Sequence, residues 1–155
     1  MSIAINFLRI DDRLIHGQVL VGWLPILKSK QVLVANDKVA GDPLRQEMMN
    51  ISIPQGVSLV FKPPSEIARI NVIPKDTLVL VSSPKDAWLC LQGGLLPETL
   101  NIGGMHAKPG KREIQEALHI DEEDNEYLEM IIKFGIIPVF QPTPQNDPMP
   151  LTEIL

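Results

Sequence analysis

Thr77-Leu78-Val79-Leu80-Val81-Ser82-Ser83-Pro84-Lys85-Asp86-Ala87-Trp88-Leu89-Cys90-Leu91-Gln92-Gly93-Gly94 holds one whole structural unit. Thr77–Val81 is apolar or β-branched at every position, the pattern of a strand buried on both faces. Ser83 then offers a helix cap, Pro84 suits a first helical position, and Gly93-Gly94 closes a helix over Pro84–Gln92. A strand covered on both sides and followed at once by a helix belongs to a parallel sheet layered between helices.

The same unit recurs outward in both directions. Toward the N-terminus the strand-like runs are Ile3–Ile10, Gln31–Ala35 and Val57–Lys62. Helical segments follow them at Gly17–Leu27, where Pro25 ends or kinks the helix, at Pro43–Ile51, capped by Asp42, and at Pro64–Ile70. Toward the C-terminus come a strand at Thr99–Ile102 and a weaker one at Val139–Phe140, where Pro138 marks an edge or strand end. The clearest helix is Glu122–Phe134, with Asp121 as cap, acidic residues in its first turn and Gly135 to terminate it. Tyr127, Met130, Ile131 and Phe134 recur at helical spacing and read as its core face. The expectation is a single α/β domain over residues 1–155, a three-layer α/β/α open sheet, mostly parallel, with helices on both faces. The proline-rich run Gln141–Pro150 reads as an extended arm on the surface or against a partner.

Composition narrows the classes. With 155 residues, 45% hydrophobic and 21% charged, the chain has enough apolar material for a packed core. A formal net charge of −5 disfavours nucleic acid as a partner. Cys90 is the one cysteine, so no intramolecular disulfide forms, and its apolar neighbours make it a buried structural thiol. No uncharged apolar stretch is long enough for a membrane span and no basic leader precedes one, so a cytoplasmic location is expected.

Chemistry concentrates in Arg9-Ile10-Asp11-Asp12-Arg13-Leu14-Ile15-His16-Gly17-Gln18-Val19, where the first strand hands over to the first helix. In open parallel sheets, ligands bind beyond the carboxyl ends of the strands. Histidine, with an ordinary pKa of about 6.5, supplies a neutral nucleophilic nitrogen. Arginine presents a planar fork that matches phosphate oxygens. Gly17 lets backbone approach a ligand, and a helix start offers free N–H groups to an anion. An aspartate holds the ring or positions Arg13. These parts suit phosphoryl transfer to and from a histidine nitrogen. Arg13 and His16 face one side only if the strand ends before Arg13. On composition alone the bland alternative, a surface or capping histidine among solvated charges, stands level with this one.

The stretch Arg9–Val19 closely resembles the active-site signature of the enzyme IIB components of the mannose/fructose/sorbose family of the phosphoenolpyruvate-dependent sugar phosphotransferase system (PTS). Ala35-Asn36-Asp37-Lys38-Val39-Ala40, Asn101-Ile102-Gly103-Gly104-Met105-His106, Gly110-Lys111 and the general pattern of Ile136–Leu155 continue the resemblance. It implies an open sheet of about seven strands, with a further strand around Lys111–His119, where Ala117-Leu118-His119-Ile120 would serve. It implies a phosphohistidine at His16, on Nδ1, assisted by Arg13. The phosphoryl group would come from an enzyme IIA donor and go to a sugar presented by membrane subunits IIC and IID, with the chain peripherally associated with that permease. No cofactor is implied, and the oligomeric state, including a homo-oligomer, stays open. A regulatory phosphocarrier using the same histidine without sugar transport is the alternative.

Asp12, Gly17, Gln18, Asp37, Ser82 and Ser83 are the expected phosphate-binding or supporting residues. Ser83 has a competing role as helix cap, and Asp37 one as an Asx-turn residue. His106 reads as a loop histidine and His119 as a packing or capping one. The three histidines are dispersed, so no metal site is expected. Trp23 and Trp88 read as packing residues on helix faces.

Overall fold

The computed structural model describes residues 2–155. The main sheet contains β1 (Ile3–Asp11), β2 (Gln31–Ala35), β3 (Ser58–Lys62), β4 (Leu78–Val81), β5 (Leu95–Gly104), β8 (Val139–Phe140) and β9 (Met149–Pro150), in the order β3-β2-β4-β1-β5-β8-β9. Every pairing is parallel except β8 with β9. A π-helical segment, Gln18–Trp23, runs into α1 (Leu24–Leu27), followed later by α2 (Asp37–Ala40), α3 (Pro43–Ser52), a 3-10 turn at Pro64–Arg69, α4 (Pro84–Gln92), α5 (Glu122–Phe134) and α6 (Leu151–Ile154). This is the expected three-layer α/β/α arrangement with seven strands, mostly parallel.

Alternation along the strands divides the core. Val79 and Val81 of β4 point to one face, with Leu33 and Ala35 of β2, and are covered by Ala87, Cys90, Leu128 and Ile131 of α4 and α5. Leu78 and Leu80 point to the other, with Val32 and Val34, beneath Val19, Trp23, Leu24 and Met49. Each fully buried Leu, Ile or Val contributes roughly 1.5–3 kcal/mol. Cys90 is fully buried, and burial pushes its thiol up.

Three expectations are corrected. The segment around Lys111–His119 does not join the main sheet: β6 (Arg112–Gln115) and β7 (Leu118–Ile120) pair antiparallel as a separate two-stranded sheet. The seventh strand is β9, inside the proline-rich arm, which therefore enters the sheet instead of lying on it. The core face of α5 is also shifted. Asp124, Leu128 and Ile131 are buried, while Met130 and Phe134 are largely exposed. Phe134 makes an edge-on contact with Trp88, ring centroids 5.8 Å apart. The cap is as expected: the Asp121 side chain accepts from Asp124 N–H at 2.8 Å, and Gly135 closes the helix at φ 114°.

Candidate functional site

The first strand extends one residue past Ile10 and ends on Asp11, before Arg13 as the phosphoryl-transfer reading requires. Asp11 and Arg9 are two apart on the strand and so share a side. A tight turn follows, in which Leu14 N–H donates to the Asp11 carbonyl at 3.0 Å and Leu14 takes the left-handed conformation, φ 58°. That conformation costs a leucine roughly 1–2 kcal/mol. The buried Leu14 side chain offsets it by a similar amount. The turn carries Arg13 and His16 back over Asp11.

Three donors meet on one oxygen. Arg9 Nη2, Arg13 Nη2 and His16 Nε2 lie 2.9, 3.0 and 2.9 Å from Asp11 Oδ2. Asp11 Oδ1 takes Arg13 Nε at 3.1 Å and Arg13 N–H at 3.0 Å. Burial works against the charge on Asp11, but hydrogen bonds from His16 and Arg13 outweigh it and hold the carboxyl well below the usual carboxylate range. A carboxylate can only accept, so His16 carries its proton on Nε2. The lone pair is left on Nδ1, which the Gln18 backbone N–H approaches at 3.3 Å. Gln18 Oε1 also accepts from Arg13 Nη2 at 2.9 Å, and Arg13 Nη1 has no partner among the described residues.

Arg9 sits beneath this group, fully buried. Its Nη1 donates to Asn101 Oδ1 at 2.7 Å and to the Gln141 carbonyl at 3.3 Å, and its Nη2 to the Pro142 carbonyl at 3.0 Å. Burial lowers its pKa to about 10, with Asp11 opposing. Gly103 is required here by space: a Cβ would lie 1.9 Å from Arg9 Cζ. Trp23 does more than pack. Its ring lies 5.5 Å from Arg9 Cζ, and its Nε1 donates to the Pro142 carbonyl at 2.9 Å.

The remaining expected residues divide. Asp12 holds His106: its Oδ1 is 2.6 Å from His106 Nδ1, and its Oδ2 accepts the His106 backbone N–H at 2.7 Å. Asp12 is the first residue of the turn beyond the strand, where its backbone N–H donates to the Gly104 carbonyl at 3.0 Å. Gly17 has an ordinary right-handed backbone, and a Cβ there would meet nothing within 4 Å, so neither conformation nor space requires a glycine at this position. Asp37 is exposed in the first turn of α2, whose cap is Asn36, accepting from Val39 N–H at 3.0 Å. Ser83 caps α4, accepting from Asp86 N–H at 3.2 Å. Ser82 Oγ accepts from Asn36 Nδ2 at 3.0 Å and donates to Asp86 Oδ2 at 3.3 Å. None of Asp37, Ser82 or Ser83 is hydrogen-bonded to His16 or Arg13. Asp11, Asp12 and His106 place one ligand-type atom each within 4.8 Å of one another. Asp11 is already taken by two arginines and His16, so these atoms read as a hydrogen-bond network.

A family model described as PTS system sorbose subfamily IIB component matches residues 5–155. The chain belongs to this family. Among curated relatives, the sorbose-specific EIIB component of Klebsiella pneumoniae is 32% identical over 136 residues, covering 85% of this chain and 83% of that protein. The N-acetylgalactosamine-specific enzyme IIB component 2 of Escherichia coli K12 is 37% identical over 120 residues, 75% of this chain and 76% of that one. The chain spans 42% of the length of the mannose-specific EIIAB component of Escherichia coli K12, at 31% identity over 86% of its own length. Among solved structures, a PTS-dependent N-acetyl-galactosamine IIB component from Streptococcus pyogenes superposes with TM-score 0.90 at 25% identity, over 100% of this chain and 99% of that one. The IIB domain of the sorbose permease of Klebsiella pneumoniae gives TM-score 0.86 at 27% identity, over 99% and 95%. Among the described residues, no helix is long and apolar enough to cross a membrane.

Proposed function

We propose that this IIB component accepts a phosphoryl group on His16 Nδ1 from an enzyme IIA protein and passes it to a sugar held by membrane subunits IIC and IID. The observation that carries the reading is the 2.9 Å hydrogen bond from His16 Nε2 to the Asp11 carboxylate. It fixes the tautomer and leaves Nδ1 as the nucleophile. In acceptance, the Nδ1 lone pair attacks phosphorus while the bond from phosphorus to the donor breaks. Nε2–H stays on Asp11 throughout, which stabilises the positive character the ring acquires. In delivery, a sugar hydroxyl oxygen attacks phosphorus, Nδ1 leaves with the bonding pair, and the hydroxyl proton passes to a base. Arg13 is partly exposed and has Nη1 free, so it can follow the phosphoryl oxygens through both steps. No cofactor enters either step. On this reading the chain works in the cytoplasm, against the inner face of its permease.

The test is a reconstituted relay with phosphorylated IIA. Wild-type protein should take up an acid-labile, base-stable label that maps to His16. His16→Ala should take up none while keeping its melting temperature, and His106→Ala should still be labelled. Persistent acid-labile label in folded His16→Ala would falsify the assignment. Genes for IIC and IID beside this one favour transport over a purely regulatory carrier.

A further inference from the structure

Beside the β1 turn, residues that make no hydrogen bond to His16 line a cavity of about 260 Å³. Lys38, Arg45, Lys108 and Lys111 reach it, together with Ser82 and Ser83. Asn36 contributes an amide, and the two carboxylates present are already used. Asp124 is paired with Lys111 at 2.7 Å, and Asp12 is held by His106. Lys38, Arg45 and Lys108 have no carboxylate partner among the described residues. Three unmatched cations thus converge on one hollow of a chain whose net charge is −5.

The topology places this hollow where open α/β sheets take ligands. From β1 the chain crosses β4 to reach β2, and from β4 it crosses β1 to reach β5. The helices that follow lie on opposite faces, Val19 and Trp23 over Leu78 and Leu80, and Ala87 and Cys90 over Val79 and Val81. The carboxyl ends of β1 and β4 therefore diverge, and the crevice between them is a topological switch point. Asp12 and Ser82-Ser83 are its two lips.

We infer that this cavity binds a small phosphomonoester, with the phosphate held by Lys38, Arg45, Lys108 and the Ser83 hydroxyl. A cavity below the roughly 300–1,000 Å³ of drug-sized pockets suits a phosphate carrying at most one sugar-sized group. The shared chemistry is a phosphate dianion, either free or on a sugar. The inference stands apart from the His16 reading, because His16 does not line the cavity.

The experiment is an amide-shift titration of the full chain with inorganic phosphate, glucose 6-phosphate and glucose. Phosphate and glucose 6-phosphate should give saturable shifts at Asn36, Lys38, Ser82, Ser83 and Lys108, weakened by added salt. Tighter binding of glucose 6-phosphate identifies the sugar ester as the ligand, and equal binding identifies free phosphate. Glucose should give no shift. Lys38→Gln/Arg45→Gln, both exposed positions, should weaken binding about tenfold, the scale of losing a charge-assisted contact. His16→Ala should keep the shifts, so loss of labelling and loss of binding separate the two readings. No saturable shift in the millimolar range, or shifts centred on residues 16–18 that vanish in His16→Ala, overturns the inference.

Discussion

Asp11 and Asp12 are consecutive carboxylates, yet the first is fully buried with three side-chain donors on one oxygen, while the second is partly exposed and held by His106 alone. Asp11 ends the strand and Asp12 opens the turn, so the two take different partners although their oxygens lie within 4.8 Å of each other. On the Asp11 flank, two arginines and a histidine are locked around a single negative charge, and geometry is over-determined. On the Asp12 flank, lysines and an arginine remain without partners around an open hollow. Density of pairing thus separates a part built to hold one ring in place from a part still free to meet an ion.

The sharpest way to break this contrast is to neutralise each carboxylate in turn. Asp11→Asn leaves buried Arg9 without its counter-charge and should cost about 3–5 kcal/mol in urea unfolding. It should also slow labelling of His16, because the amide no longer dictates the tautomer. Asp12→Asn should cost about 1 kcal/mol and leave labelling near wild type. Equal losses for the two would dissolve the distinction.

Adjacent glycines repeat the comparison at slightly lower cost. Gly103→Ala drives a methyl into the buried Arg9 guanidinium and should destabilise by about 1–3 kcal/mol. At Gly104 a Cβ meets His106 Cε1 at 2.8 Å and Arg13 Nη2 at 3.2 Å, the ends of two side chains that can swing aside. Gly104→Ala should lose under about 1 kcal/mol, and its mark should be a slower phosphoryl transfer.

Arg13→Lys sharpens the Asp11 flank without unfolding it. The charge stays and the fork is lost. Stability should change by less than about 1 kcal/mol at this partly exposed position. Uptake of label from IIA should persist, whereas transfer to sugar in membranes holding IIC and IID should fall about a hundredfold, the scale of losing one preorganised donor. Unchanged sugar phosphorylation would remove Arg13 from the reaction.

The smallest expected effect is on acid stability. Asp11 has a folded pKa depressed below its unfolded value of about 3.9. Its contribution is complete above the unfolded value and is lost as pH falls from about 5 toward the folded one. Stability followed by urea unfolding should therefore decline across that acid range more steeply in wild type than in Asp11→Asn. Parallel slopes would show that other carboxylates carry the acid sensitivity.

Much of this was readable in the chain because the strands are buried on both faces and spell themselves out without interruption, as Leu78–Val81 does. Helix caps were equally legible at Asp42, Ser83 and Asp121, where a polar side chain precedes a helical run. The α5 face was misjudged because Leu128, not Tyr127, Met130 or Phe134, lies on the line from Asp124 to Ile131. β9 escaped because a two-residue strand beside a proline leaves no periodic trace. His16, Arg13 and Gln18, singled out by their chemistry, lie together beside Asp11, whereas the supporting aspartate was placed at Asp12. The alternation of Arg9 with Asp11 was the available signal, hidden by ending the strand one residue early. Asn101 and the Gln141 and Pro142 carbonyls lay beyond reach, since only the folded chain brings residues about 90 to 130 positions apart onto one guanidinium.

The bonds from Arg9 to the Gln141 and Pro142 carbonyls set an order of events during synthesis. Arg9 leaves the ribosome long before residues 141 and 142 are made, so the guanidinium must wait, hydrated, until the arm arrives. A nascent chain halted before that point would hold the β1 turn and both of its aspartates but no seated Arg9. The Asp11 cluster would then be completed only as β8 and β9 join the edge of the sheet, after strands β1 to β5 have been made.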